Sequence, residues 1–153
     1  MGFRLLLVVL ASLVVLAPAA AVSAPNRPVA TSPKQMKAIV REWSKRLNAG
    51  DNEGVAHLFS LPAIIVQNLA FRFHTYAQLA EWHALLPCAG HITSIVVKGR
   101  FATAVFRLGN RKGSPCDAPG TLAAARFEIV NGKIVTWEQV PVPAKKIPNP
   151  NAI

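Results

Sequence analysis

Leu122–Val140 reads LAAARFEIVNGKIVTWEQV, and this stretch decides the fold class. Two runs, Leu122–Val130 and Ile134–Val140, flank Asn131-Gly132. An Asn-Gly pair supplies the positive φ angles of a type I′ turn, so the runs are expected to pair as a β-hairpin. Successive strand side chains point to opposite faces. If Phe127 faces inward, Ala123, Ala125 and Ile129 follow it, while Arg126 and Glu128 face solvent. The opposite register would turn Arg126 and Glu128 into a charged pair inside. Just upstream, Ile92–Lys98 and Phe101–Leu108 are rich in β-branched and aromatic residues and are divided by Gly99, which predicts two more strands. Gly109–Gly120, with its Gly, Pro and Asn, reads as a long loop.

The N-terminal half has a different period. Met36, Ile39, Val40, Trp43 and Leu47 fall at helical spacing, with Lys37, Arg41, Glu42 and Lys45 elsewhere on the wheel. Asn48-Ala49-Gly50 ends this helix, Gly50 supplying a left-handed terminus. Asp51 caps a second, short helix carrying Val55, Leu58 and Phe59, and Pro62 stops it. Ala63–Gln67 is a strand-like apolar run, and Phe71-Arg72-Phe73 a short alternating one. Thr75 and Gln78 form a capping box that opens a third helix, with Tyr76, Leu79, Trp82, His83 and Leu86 on one broad face. Pro87 and Gly90 close it. Helices first and strands later imply an α+β domain with helices packed on one face of a curved sheet.

The ends differ from the middle. Residues 1–24 carry Arg4, an apolar run Leu5–Ala17, and small residues ending at Ala24, which reads as a secretory signal peptide cleaved near Ala24. Pro18 interrupts the run short of a membrane span, so no transmembrane anchor is expected after processing. Residues 25–32 read as a flexible leader, 33–140 as the folded domain, and 141–153 as a Pro-rich tail. The expected location is secreted, periplasmic or cell envelope.

Of 153 residues, 52% are hydrophobic and 16% charged, which excludes a disordered chain. The formal net charge is +10, yet the basic residues are scattered. No basic run or aromatic-basic interleaving suggests specific nucleic-acid binding. Cys88 and Cys116 are the only cysteines. In an exported chain they are expected to form a disulfide, and they lie far apart for a metal site, which favours close pairs. His57, His74, His83 and His91 show no metal-ligand spacing, and no metal or cofactor is expected.

Trp43 with Leu47-Asn48-Ala49-Gly50-Asp51, Leu58-Phe59 and Ala63, followed by Phe127 and Asn131-Gly132-Lys133-Ile134, resembles the nuclear-transport-factor-2-like superfamily. Its members include ketosteroid isomerases, limonene epoxide hydrolase and SnoaL-like polyketide cyclases. The resemblance covers nearly all of residues 33–140. It implies a cone, in which a curved antiparallel sheet packs on three N-terminal helices around an apolar pocket, in the cystatin-like manner. By the same comparison Val135, Trp137 and Gln139 would face the pocket.

Fold does not dictate chemistry. Isomerases of this superfamily use a Tyr on the first helix, an Asp base after the first strand and a protonated Asp on a later strand. Those positions fall here on Trp43, Gln67 and Ala125. A Gln side chain cannot take up a proton at neutral pH, and Ala offers no donor to an enolate. Epoxide hydrolases use an Asp-Arg-Asp arrangement. The seven carboxylates here, Glu42, Asp51, Glu53, Glu81, Asp117, Glu128 and Glu138, do not reproduce it. No catalytic residue is assigned. The pocket candidates are Trp43, Gln67, Tyr76, His83, Trp137 and Gln139. Trp43 and Trp137 serve either core packing or ligand stacking; His83 is either a hydrogen-bonded core residue or a general base. The leading expectation is an apolar pocket for a small hydrophobic ligand or a protein, without the superfamily's usual carboxylates. One alternative is an isomerase, epoxide hydrolase or cyclase using His83, Gln67 or Tyr76. Another is a basic cell-envelope binding module. The resemblance also makes a homodimer through the outer sheet face a candidate assembly.

Overall fold

Ser32 starts the domain. Its Oγ accepts from Gln35 N at 3.3 Å while Gln35 Oε1 accepts from Ser32 N at 2.9 Å, a reciprocal cap followed by Pro33 in the first turn. The computed structural model describes residues 30–144. The expected signal peptide, most of the expected leader and the tail from residue 145 lie outside the described residues. Helix α1 (Pro33–Ala49) buries Met36, Val40, Trp43 and Leu47, four of the five periodic residues. It ends at Gly50, whose φ of 76° is the left-handed terminus expected.

Asp51 Oδ1 accepts from Gly54 N at 2.9 Å and caps α2 (Asn52–Ala56). This helix is shorter than expected. Leu58 lies beyond it, and Phe59 is the first residue of β1 (Phe59–Gln67). Pro62 therefore sits inside a strand rather than stopping a helix. It falls between Phe59 and Ile64, where the pairing register to the neighbouring strand shifts, so its missing N–H removes no ladder bond there. Asn68, at φ 60°, turns the chain into β2 (Leu69–Phe73).

The Thr75–Gln78 capping box opens α3 (Tyr76–Ala84), with Leu85 as its C-cap. Gly90 does not close this helix. It lies within β3 (Cys88–Lys98), where a Cβ would stand 2.8 Å from Phe106 Cβ of β4 (Phe101–Asn110). Both strands are longer than their apolar patterns suggest. The loop after β4 is correspondingly shorter, and β5 (Leu122–Val130) and β6 (Lys133–Val140) make the expected hairpin.

The six strands form one sheet in the order β2-β1-β6-β5-β4-β3. Four neighbouring pairs are antiparallel, and β1 with β6 is parallel, so the sheet is mixed rather than purely antiparallel. The antiparallel pairs are successive strands joined directly. β1 and β6 are separated by most of the domain, and a long connection leaves strand direction free. The curved, unclosed sheet and three helices make the α+β cone expected. Its core joins Met36, Val40 and Trp43 of α1 to Phe59, Ile65, Leu79, Phe127 and Ile134.

One alternation fails. Ile129 pairs with Ile134 and Glu128 with Thr136, which leaves Val135 as an extra residue in β6. The bulge lets Ile134 and Trp137 both point into the core although they are three positions apart, and Val135 is only half-buried. Arg126 and Glu128 stay on the outer face. Arg126 pairs with Glu138 at 2.5 Å and Glu128 with Arg100 at 2.9 Å.

Candidate functional site

Between α1 and the sheet lies a cavity of about 250 Å³. Trp43 and Leu47 contribute from α1, and Phe106 and Leu108 from β4. Trp137 and Gln139 come from β6, Gln67 from the end of β1. Three alanines, Ala123–Ala125, line the β5 wall. The small side chains of Ala123 and Ala125, which share the inward face of β5 with Phe127, leave room that a Leu or Phe would fill. Gly90 serves the same end on β3 by letting the Phe106 side chain lie directly against the backbone. Asn48 fixes Gly90 in place, its Nδ2 donating to Gly90 O at 3.1 Å and its Oδ1 accepting from Gly90 N at 3.0 Å. Ser44 Oγ donates to the same carbonyl at 2.9 Å.

The rim carries the disulfide. Cys88 and Cys116 are bonded, and both Cys88 and Asp117 belong to the lining. Asp117 is exposed, with Oδ1 3.2 Å from Cys88 Sγ. It is the one ionisable side chain among the lining residues. Cys88, Cys116 and Asp117 place three donor atoms close together. The two sulfurs are bonded to each other, however, so they are not the thiolates a metal would need.

Of the six pocket candidates, Trp43, Gln67, Trp137 and Gln139 line the cavity. Tyr76 is not among the lining residues. It is 36% exposed on the first turn of α3, its ring centroid 4.3 Å from that of His57. His83 lies behind the wall, fully buried. Its Nδ1 is 2.7 Å from Leu79 O, a pure acceptor, so Nδ1 carries the proton and donates. Its Nε2 then accepts from Trp43 Nε1 at 3.2 Å. Burial pushes its pKa down to about 4, aided by Arg111 and opposed by the Leu79 bond. A neutral ring with both nitrogens engaged holds Trp43 in place and has no free lone pair for a ligand's proton.

Sequence patterns did not single out Arg111. It is buried, and its guanidinium donates to His83 O at 2.6 Å, Leu86 O at 2.9 Å and Asn52 Oδ1 at 2.5 Å. It thus caps the C-terminal carbonyls of α3 and ties the loop that bears Cys116 and Asp117 to both short helices. Burial lowers its pKa from the usual guanidinium value. Asp117 was missed for a related reason: nothing in a Gly/Pro-rich loop tells which residue will meet a cavity.

No family model matches the chain, and no curated protein matches it. Solved structures do. A nuclear-transport-factor-2-like protein of unknown function from Cytophaga hutchinsonii superposes with a TM-score of 0.56 at 8% identity, over 68% of this chain and 87% of that one. The chain has the nuclear-transport-factor-2-like fold. The epoxide hydrolase/cyclase-like enzyme SalBIII, which has a role in pyran ring formation in the polyether salinomycin, shares the fold with a TM-score of 0.57 at 16% identity, over 71% and 92% of the two chains. A de novo designed protein with a curved β-sheet does so with 0.59 at 17%, over 73% and 88%. The fold thus occurs in an enzyme and in a designed chain alike, and the side chains of the cavity must carry any functional statement. Among the described residues no helix is long and apolar enough to cross a membrane.

Proposed function

We propose that this chain is an exported binding domain whose cavity takes a small apolar molecule between Trp43, Phe106 and Trp137, with Gln67 and Gln139 as its polar contacts. One observation carries the reading: a walled cavity, largely apolar, whose sole ionisable lining residue stands at the rim. Apolar concavities with a few polar groups are the usual form of small-ligand sites. Neither Gln67 nor His83 supplies a base, so binding without the superfamily's carboxylate chemistry is the simplest use of the cavity. Export is supported by the signal-like residues 1–24 and agrees with the disulfide.

The test is titration of the protein with bicyclic aromatic compounds, read by tryptophan fluorescence and native mass spectrometry. Saturable one-to-one binding that Ala125→Phe abolishes supports the reading. Failure of every such compound to bind refutes it. Asp117 favours a second reading, a hydrolase or cyclase with its acid at the cavity mouth. That reading predicts turnover of an epoxide or polyketide-like substrate that Asp117→Asn abolishes.

A further inference from the structure

The outer face of the sheet carries a second concavity, a groove of about 990 Å³ that shares no lining residue with the cavity. Cross-strand register sets its floor. Phe101, Thr103, Val105 and Arg107 alternate along β4 with the buried Ala102, Ala104 and Phe106. On β3, Lys98 pairs with Phe101 and Val96 with Thr103; on β5, Arg126 pairs with Thr103 and Leu122 with Arg107. Directly paired residues share a face, so these side chains line one surface.

Its charge is one-sided. Lys98, Arg107 and Arg126 line the groove, and no carboxylate does. Glu128, opposite Phe101, and Glu138, opposite Arg126, share the outer face, but both are engaged, Glu128 by Arg100 and Glu138 by Arg126. Lys98 and Arg107 meet no carboxylate among the described residues; Arg107 donates to Gly120 O at 3.0 Å. Phe101 and Arg107 are six positions apart on β4, so these two uncompensated cations stand about 20 Å apart along the strands. Val96 and Val105 lie between them and Leu122 beside Arg107; Val96 is 55% and Leu122 47% exposed.

Several occupants fit poorly. Nucleic acids stack on open aromatic faces, whereas Phe101, the one aromatic lining residue, lies under the guanidinium groups of Arg100 and Arg126 at 5.5 and 5.4 Å. The floor residues Phe101, Thr103 and Val105 are only partly exposed, out of reach of a flat lipid surface. A second copy docked by the same patch, as a two-fold dimer requires, brings Lys98 and Arg107 of both chains into one interface with no free carboxylate to meet them. The chain's own continuation beyond Pro143 carries Lys145-Lys146, like in sign to the groove.

We infer that the groove binds an extended, acidic segment of a partner protein, laid along β3–β5 with apolar side chains against Val96, Val105 and Leu122 and carboxylates near its two ends on Lys98 and Arg107. An extended chain advances about 3.3 Å per residue, so carboxylates six positions apart span the two cations. Opposite charges orient the partner, and the apolar floor supplies contact area.

The probe is a dye-labelled, end-blocked heptapeptide, Glu-Ser-Val-Ser-Val-Ser-Glu, whose Glu and Val side chains share one face when extended. Binding to the full chain is read by fluorescence anisotropy, and its place by backbone amide shifts. The peptide is expected to bind about tenfold more tightly than its Gln-ended counterpart, to weaken as salt rises from about 0.05 to about 0.3 M, and to move amides of β3–β5. Lys98→Glu should weaken binding about tenfold. Lys37→Glu, the same charge change at an exposed position of α1, should leave it unchanged. Equal affinities of the two peptides, equal losses in the two variants, or shifts centred elsewhere overturn the inference. So does tighter binding of heparin or of phosphatidylglycerol vesicles through Lys98, or a dimer of the free chain whose sedimentation and concentration-dependent shifts place the contact on β3–β5. The cavity reading stands or falls separately, because no residue is common to the two sites.

Discussion

Acidification should destabilise this domain through His83. Folding excludes its ring from water and uses both nitrogens, Nδ1–H on Leu79 O and Nε2 on Trp43. Burial is the main cause of a pKa lowered from 6.5 to about 4. The unfolded chain takes up a proton as pH falls through 6.5, and the folded protein resists until about 4. Across that window the unfolded state binds more protons, so stability is fully present above the unfolded pKa and is lost as pH falls towards the folded one. For one such group the loss is about 2 kcal/mol between pH 7 and pH 5, and about 3 kcal/mol by pH 4. Urea unfolding followed by tryptophan fluorescence at pH 5, 6 and 7 measures it. His83→Phe keeps an aromatic ring and removes the titration. It forfeits the Trp43 hydrogen bond equally at each pH, which lowers the curve without changing its slope. The wild type should therefore lose about 2 kcal/mol more than the variant between pH 7 and pH 5. Parallel curves would refute the reasoning. So would a native-state His83 titration, followed by its ring proton resonances, with its midpoint near 6.5; that measurement needs no variant.

Ala125→Phe should fill the cavity, cost about 1–3 kcal/mol by overpacking and abolish ligand uptake, as checked by urea unfolding and calorimetry. Arg111→Leu strips the donor from His83 O and Leu86 O and should lower stability by about 2–4 kcal/mol in urea unfolding, well above the effect of an exposed arginine. The disulfide spans 28 positions. Replacing Cys88 and Cys116 with Ser, or reducing the wild type, should lower unfolding stability by about 3–4 kcal/mol on the chain-entropy estimate. Chemical shift changes in the double variant should be largest around Asp117 and the rim, and a pattern centred on α1 would contradict the placement of the disulfide at the rim.

What was legible in the sequence is what neighbours along the chain decide. The period of Met36, Val40, Trp43 and Leu47, the Thr75–Gln78 capping box, the left-handed Gly50 and the Asn131-Gly132 turn each act within one or two turns of chain. Those signals placed all three helices and the late hairpin. The Cys88–Cys116 pairing needed no geometry either, because only one pairing within the chain was available. Local signals misjudged boundaries where partners were remote. Phe59 has the spacing of a helical residue yet pairs with Ile134, and Gly90 looks like a helix stop yet lies under Phe106.

The site divides along the same line. Trp43, Gln67, Trp137 and Gln139 came from strand and helix periodicity together with the superfamily comparison, and all four line the cavity. Tertiary packing alone decided that His83 serves Trp43, that Tyr76 stands outside, that Arg111 is buried against α3, and that Asp117 reaches the rim. It also decided the parallel β1–β6 pair and the bulge at Val135 that turns Ile134 and Trp137 to the same side. The physical reason is range. Backbone propensity and capping act over a few residues, whereas hydrogen-bond satisfaction and burial depend on groups that only the folded chain brings together.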